Sequence, residues 1–183
     1  MEFQEVIISR RSIREFEEKK VEKELISRIL EMAFYSPSSH NRRPWYVIVV
    51  TSRELLEKLS YAKPHATPLK NASLALVICA DENISDVWIE DSSIFAEHVQ
   101  LAATNLALGS VWIQIRKRMH DENMTAEDYV RSLLGIPSNI KVLCIIGIGY
   151  PAEKKEKHRK EEIKELKSRV KENHFSNLFP LEL

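Results

Sequence analysis

The chain has 183 residues, 44% hydrophobic and 30% charged, with 27 basic and 27 acidic side chains. That length and apolar content suit one globular domain with a real core and exclude a disordered chain. Zero formal net charge counts against a general nucleic-acid binder, which carries a basic excess.

Glu2–Ser9 reads as a short helix with Phe3, Val6 and Ile7 on one face. Glu22–Tyr35 is a stronger one, with Leu25, Ile26, Ile29, Leu30, Ala33 and Phe34 at helical spacing, ended by Ser36-Pro37. Trp45–Val50 is a dense β-branched run, a buried strand. Thr51-Ser52 caps a helix over Arg53–Tyr61, a polar loop covers Lys63–Asn71, and Leu74–Ala80 is a second buried strand. Trp88–Leu108 is the longest helical pattern, rich in small residues and a candidate dimer contact, with Gly109 as its C-terminal cap. Ser110–Ile115 is a third strand. Thr125-Ala126-Glu127-Asp128 opens a helix that runs to Leu134 and stops at Gly135 and Pro137. Ile140–Ile148 is a fourth strand, broken by Gly147, Gly149 and Pro151. Glu153–Lys171 is dominated by charge, with a narrow stripe of Ile163, Leu166 and Val170, and includes a charged helix from about Lys157 in which Glu153–Lys157 is a fitting ion pair. Phe175–Pro180 is apolar again and too short to bury itself.

Several helices precede the first strand, so the reading is α+β, with a mixed or antiparallel central sheet flanked by helices. No G-x-G-x-x-G follows a strand, which removes a Rossmann dinucleotide fingerprint. No apolar run reaches membrane-spanning length, no secretory h-region is seen, and no Cys/His spacing suits a metal. Cys79 and Cys144 lie in apolar runs and read as buried free thiols in a reducing cytosol, so a cytoplasmic location is expected.

Two stretches carry chemistry. Ser9-Arg10-Arg11-Ser12-Ile13-Arg14 puts three guanidinium groups and two hydroxyls at a helix end. Arginine forks match phosphate oxygens, and free backbone N–H groups at such a place favour an anion. The same residues also describe an ordinary solvated basic helix end. Ser36-Pro37-Ser38-Ser39-His40-Asn41-Arg42-Arg43-Pro44-Trp45 joins a helix to a buried strand; taken alone it is a stiff turn. No Ser/His/Asp or Cys/His set stands out. Trp112, Trp88 and Tyr129 read as packing residues, while Met119, His120 and Met124 lie in a loop that could overhang a pocket.

Taken together, Arg10-Arg11-Ser12-x-Arg14, Pro37-Ser38-Ser39-x-Asn41-x-x-Pro44-Trp45, Leu108-Gly109-Ser110-Val111-Trp112-Ile113, and Gly149-Tyr150-Pro151 with a later Arg159 resemble the FMN-dependent nitroreductase superfamily. The R-R-S-x-R form also resembles its flavin dehalogenase branch. The resemblance spans roughly the first 160 residues and implies an intertwined homodimer with FMN at the interface. By position, Arg10, Arg11 and Ser12 would hold the FMN phosphate with Arg159 and Lys157. Arg14 would reach the pyrimidine edge of the ring and stabilise its reduced anion. Pro37, Ser38, Ser39 and Asn41 would come from the partner subunit, and backbone near Ile113 and Gln114 would face N5 and O4. Residues 1–160 would then form the FMN-binding domain and 161–183 a helix and tail docked on the partner. The implied activity is NAD(P)H-dependent, ping-pong reduction of a nitro, quinone or similar small acceptor. Reductive dehalogenation and a non-enzymatic flavin sensor are the alternatives. Arg43 stands where the superfamily often has glutamine, Ser39 where glycine is common, and the large lid helices of bigger members are missing.

Overall fold

A computed structural model describes residues 1–182. The elements, in chain order, are α1 (Phe3–Ser9), α2 (Lys23–Phe34), β1 (Trp45–Val50), α3 (Arg53–Leu59), β2 (Leu74–Asp81), α4 (Trp88–Asn105), β3 (Gly109–Gln114), α5 (Ala126–Leu134), β4 (Ile140–Gly149) and α6 (Lys160–Ile163). The four strands form one sheet in the order β1-β2-β4-β3, every neighbouring pair antiparallel. The fold is therefore α+β, and the sheet resolves to the antiparallel form. One parallel bridge, Ser12 to Ser110, is added at its edge.

The sheet has apolar cover on both faces, so its inner strands β2 and β4 are unbroken apolar runs rather than alternating ones. Leu74, Leu76 and Ile78 of β2 face α2 and α4 with Ile29, Phe95 and Val99. Ala75, Val77 and Cys79 face the other way, with Leu56, Leu59 and Val130 of α3 and α5. The β2–β4 register shifts between Ile78 and Cys79, which pair with Cys144 and Val142 and leave Leu143 over. Such a bulge breaks the alternation, and Leu143 and Cys144 consequently pack on the same face.

Local caps follow the sequence. Ser52 Oγ accepts from the Leu55 N–H, Thr125 Oγ1 accepts from the Asp128 N–H, and Gly135 ends α5 in the left-handed region at φ 65°. Two glycine expectations fail. The turn after α4 is made by Ala107 at φ 59°, with the Leu108 N–H bonded back to Ala103. Gly109 instead opens β3, where a Cβ would lie 2.9 Å from three side-chain atoms of Ile13. Gly147 does not break β4 but lies within it, pressed against Leu69 and Val111.

The charged region also differs from expectation. Helix there is limited to α6 and a 3₁₀ stretch over Lys164–Arg169. Lys157 pairs with Glu5 rather than Glu153, because this part of the chain runs extended beside α1. Phe175, Leu178 and Phe179 are all exposed, Phe175 by 86%. Among the described residues, no helix is long and apolar enough to cross a membrane and no cluster of side chains could hold a metal. Both cysteines are free and buried; burial pushes the Cys79 thiol up to about 12 and raises that of Cys144 as well.

Candidate functional site

The first stretch forms a strap across the starts and ends of strands. The Ile13 N–H donates to the Ser110 carbonyl at 2.9 Å, which fixes Ser12 beside β3. Ile13 lies over Gly109 and Phe16 over Gly149, where a Cβ would again meet the ring at 2.9 Å. The glycines thus serve close approach of one backbone to another segment's side chain.

A second segment, 150–159, returns alongside the strap. Its contacts run in sequence: Glu17 N–H to Tyr150 carbonyl, Ala152 N–H to Glu15 carbonyl, Arg14 N–H to Glu153 Oε1 at 2.6 Å, the Arg11 guanidinium to the Glu156 carbonyl, and His158 N–H to Ile8 carbonyl at 2.8 Å. This antiparallel seam brings Arg10, Arg11 and Ser12 to the same edge of the molecule as Lys157 and Arg159. The residues come from opposite ends of the sequence.

The charges on the seam are unevenly compensated. Arg10 Nε lies 4.0 Å from Glu97 of α4, Lys157 meets Glu5, and Arg159 is 4.0 Å from Glu162. Lys157 holds the Glu5 carboxyl below its ordinary value, and His158 does the same for Glu162. The Arg14 N–H, followed by Lys155, lowers that of Glu153. The guanidinium groups of Arg11 and Arg14 have no ion-pair partner among the described residues. The Arg11 guanidinium, which has no carboxylate partner, a half-buried serine and nearby cations form a donor set suited to a phosphate.

β3 continues from the strap as an edge strand. The Ser110 carbonyl turns outward to Ile13, whereas the Ile115 N–H turns inward to Leu143. Antiparallel alternation therefore points the main chain of Ile113 at β4 and that of Trp112 and Gln114 at the open edge. The Ile113 side chain is buried in the core. Of the two residues expected to face a ring, Gln114 has the available main chain and Ile113 does not. Trp112 is half-buried, its Nε1–H donating to Gln114 Oε1 at 2.9 Å.

The second stretch, 36–44, is a compact surface loop around a 3₁₀ turn at Ser39–Asn41. His40, Asn41 and Arg43 all have positive φ. Ser38 Oγ accepts from the Arg43 N–H, and Asn41 Oδ1 from Arg43 Nε. The loop is pinned to the start of α4, the Ser39 N–H donating to Asp91 Oδ1 at 2.8 Å. Glu97, the contact of Arg10, lies about 9 Å further along that helix, at 1.5 Å per residue. No hydrogen bond or ion pair joins the loop to the seam among the described residues. Within one chain, Pro37, Ser38, Ser39 and Asn41 thus share no polar bond with Arg10, Arg11 or Ser12 among the described residues.

His120 is not free to overhang a pocket: it stacks on Tyr129 at 4.1 Å and its Nδ1 contacts the Tyr61 carbonyl. A cleft of 710 Å³ between Glu17–Lys23 and the β1–α3 turn contains none of the candidate residues. Of three carboxylates that organise the site, Glu97 and Asp91 carry no expectation from the sequence, and Glu153 is expected only as a partner of Lys157, not of the Arg14 N–H. Only Asp91 left a signal there, since it falls on the apolar stripe Asp91-Phe95-Val99-Ala102.

Comparison with known proteins gives the same grouping. A sequence model of the nitroreductase family matches residues 7–88 and 60–150. An FMN-dependent nitroreductase from Clostridium difficile R20291 superposes with a TM-score of 0.89 at 45% identity, covering 93% of this chain and 98% of its own. A protein of Archaeoglobus fulgidus, provisionally named an NADH dehydrogenase/NAD(P)H nitroreductase, is 42% identical over 155 residues, 82% of this chain and 86% of its own. The NADPH-flavin oxidoreductase of Vibrio harveyi is 26% identical over 167 residues, 83% of this chain and 67% of its own. With the family pattern matched along most of its length, and with relatives this close, the chain belongs to the nitroreductase family.

Proposed function

We infer that this protein is an FMN-dependent oxidoreductase that draws on NAD(P)H to reduce a nitro, quinone or similar small acceptor. The observation that carries the reading is the seam, which gathers Arg10, Arg11, Ser12, Lys157 and Arg159 at one edge, with no carboxylate paired to the Arg11 guanidinium among the described residues. The names of the relatives agree with it.

FMN supplies the hydride chemistry when bound. Arg10, Arg11, Ser12, Lys157 and Arg159 seat its phosphate. Arg14, spare of any carboxylate on its guanidinium, supplies positive charge at the pyrimidine edge. The open-edge main chain of Gln114, with that of Trp112, takes the place first expected of Ile113. Pro37, Ser38, Ser39 and Asn41 make no hydrogen bond or ion pair to the seam of their own chain among the described residues and, as the family resemblance implies, close the site of a second copy. The functional unit is then a homodimer, and residues 161–182, with their exposed apolar side chains, dock on that second copy. Donor and acceptor use one opening in turn, the ping-pong order.

The test is colour. The purified protein should show a two-band flavin spectrum and release FMN, not FAD, on denaturation. Anaerobic NADH or NADPH should bleach it, and a nitro or quinone acceptor should restore the bands. A chain that stays colourless after incubation with excess FMN refutes the reading. A bound flavin that neither nicotinamide bleaches would favour a sensor instead. An acceptor panel that includes aryl halides separates nitro and quinone reduction from dehalogenation.

A further inference from the structure

The 36–44 loop is held from outside by two carboxylates of different standing. Asp86 pairs with Arg42 at 2.9 Å on the surface, where Asp86 is 84% exposed and such a pair contributes little. Asp91 is 3% exposed. Its Oδ1 accepts from the Ser39 N–H and its Oδ2 from the Ser85 hydroxyl, both at 2.8 Å. No cation pairs with it among the described residues. It occupies a place on α4 that packing alone would fill with an apolar residue, as Phe95 and Val99 do one and two turns later. A buried carboxylate costs desolvation, which the two hydrogen bonds and the start of the α4 dipole offset.

Three non-glycine residues of the loop sit at positive φ, a conformation that persists only where the surroundings impose it. The anchored amide, that of Ser39, directly precedes the first two of them, His40 and Asn41. We propose that Asp91 is a positioning residue: its buried carboxylate fixes Ser38, Ser39 and Asn41 in the shape offered to the cofactor site of a second copy. This rests on the proposed function, and it adds a residue that touches neither cofactor nor acceptor.

Three variants test it: Asp91→Ala, Asp91→Asn and Ser85→Ala. Two readings are taken: amide hydrogen exchange of the cofactor-free chain, and FMN affinity by fluorescence quenching. In Asp91→Ala the amides of residues 38–41 should exchange faster, and FMN should bind about tenfold more weakly, the worth of one hydrogen bond to a charged group. Circular dichroism and association state should stay as in the unmodified chain. Asp91→Asn keeps an oxygen for the Ser39 N–H and should recover most of both readings. Ser85→Ala leaves that bond in place and should speed exchange at 38–41 only about threefold.

Unchanged exchange at 38–41 in Asp91→Ala overturns the proposal. So does Asp91→Asn behaving no better than Asp91→Ala, since any disturbance of the core would do the same. Faster exchange with unaltered FMN affinity removes the positioning role while the FMN reading stands. Should Asp91→Ala not fold, a Ser85→Ala chain without faster loop exchange overturns it equally. Exchange is read without cofactor, so a chain that never binds FMN refutes the proposed function separately.

Discussion

The interior of the sheet and the seam beside it are built on opposite principles. In β2 and β4, nearly every side chain is fully buried, and each is held by apolar neighbours on both faces. Along the 8–17 and 150–159 seam, main-chain hydrogen bonds and two buried side chains, Ile13 and Phe16, hold the segments, while the cations stay at least partly exposed. The contrast teaches which residues the fold needs. Removing an interior side chain costs stability; removing a seam arginine should cost a ligand.

Ile146→Ala is the strongest test from the interior. Ile146 is fully buried in β4, and the truncation should lower unfolding free energy by about 2–5 kcal/mol in denaturant titration. A loss no greater than that of a surface change would show the interior to be less demanding than its burial implies. Arg11→Ala is the counterpart on the seam. It should leave stability within about 0.5 kcal/mol but weaken FMN binding by about 1.5–3 kcal/mol, ten- to hundredfold, in fluorescence titration. Equal losses of stability and affinity would erase the contrast.

Arg14→Ala sharpens it within the seam. Arg14 is exposed and its guanidinium unpaired, so its charge should act on redox balance rather than on folding. The flavin midpoint potential should fall by about 30 mV, equivalent to about 1.4 kcal/mol for two electrons. An unmoved potential in spectroelectrochemistry would remove its assigned role. The smallest effect is expected where the two regions meet. Ala107→Gly relieves a left-handed alanine between α4 and β3 and should raise stability by about 0.5–1 kcal/mol, with FMN affinity unaltered. A destabilised Ala107→Gly chain would mean that the turn is not strained.

The main helices and strands of the core were legible because periodicity is local. Helical spacing in α2 and α4, the β-branched run of β1 and the apolar runs of β2 and β4 locate those elements to within a few residues. Local preference misleads where one rule admits two uses. Glycine after a helix suggests a cap at Gly109, yet Ala107 turns the chain and Gly109 makes room for Ile13. Charge and a narrow apolar stripe suggested a longer helix after Lys157, but the pairing of Lys157 with Glu5 and of His158 with Ile8 holds the first residues extended. The motif stretches themselves were visible; the turning of Ile113 toward β4 was not, because strand register decides it.

By itself, then, the sequence determined the kinds of element, the apolar interior and the family pattern, since each depends on residues a few positions apart. Tertiary structure alone decided that the Arg11 guanidinium meets the Glu156 carbonyl, that the His158 N–H meets the Ile8 carbonyl and that Asp91 reaches Ser39. Those are contacts across about fifty to one hundred and fifty residues, set by how the chain crosses its sheet, and no short-range preference encodes them.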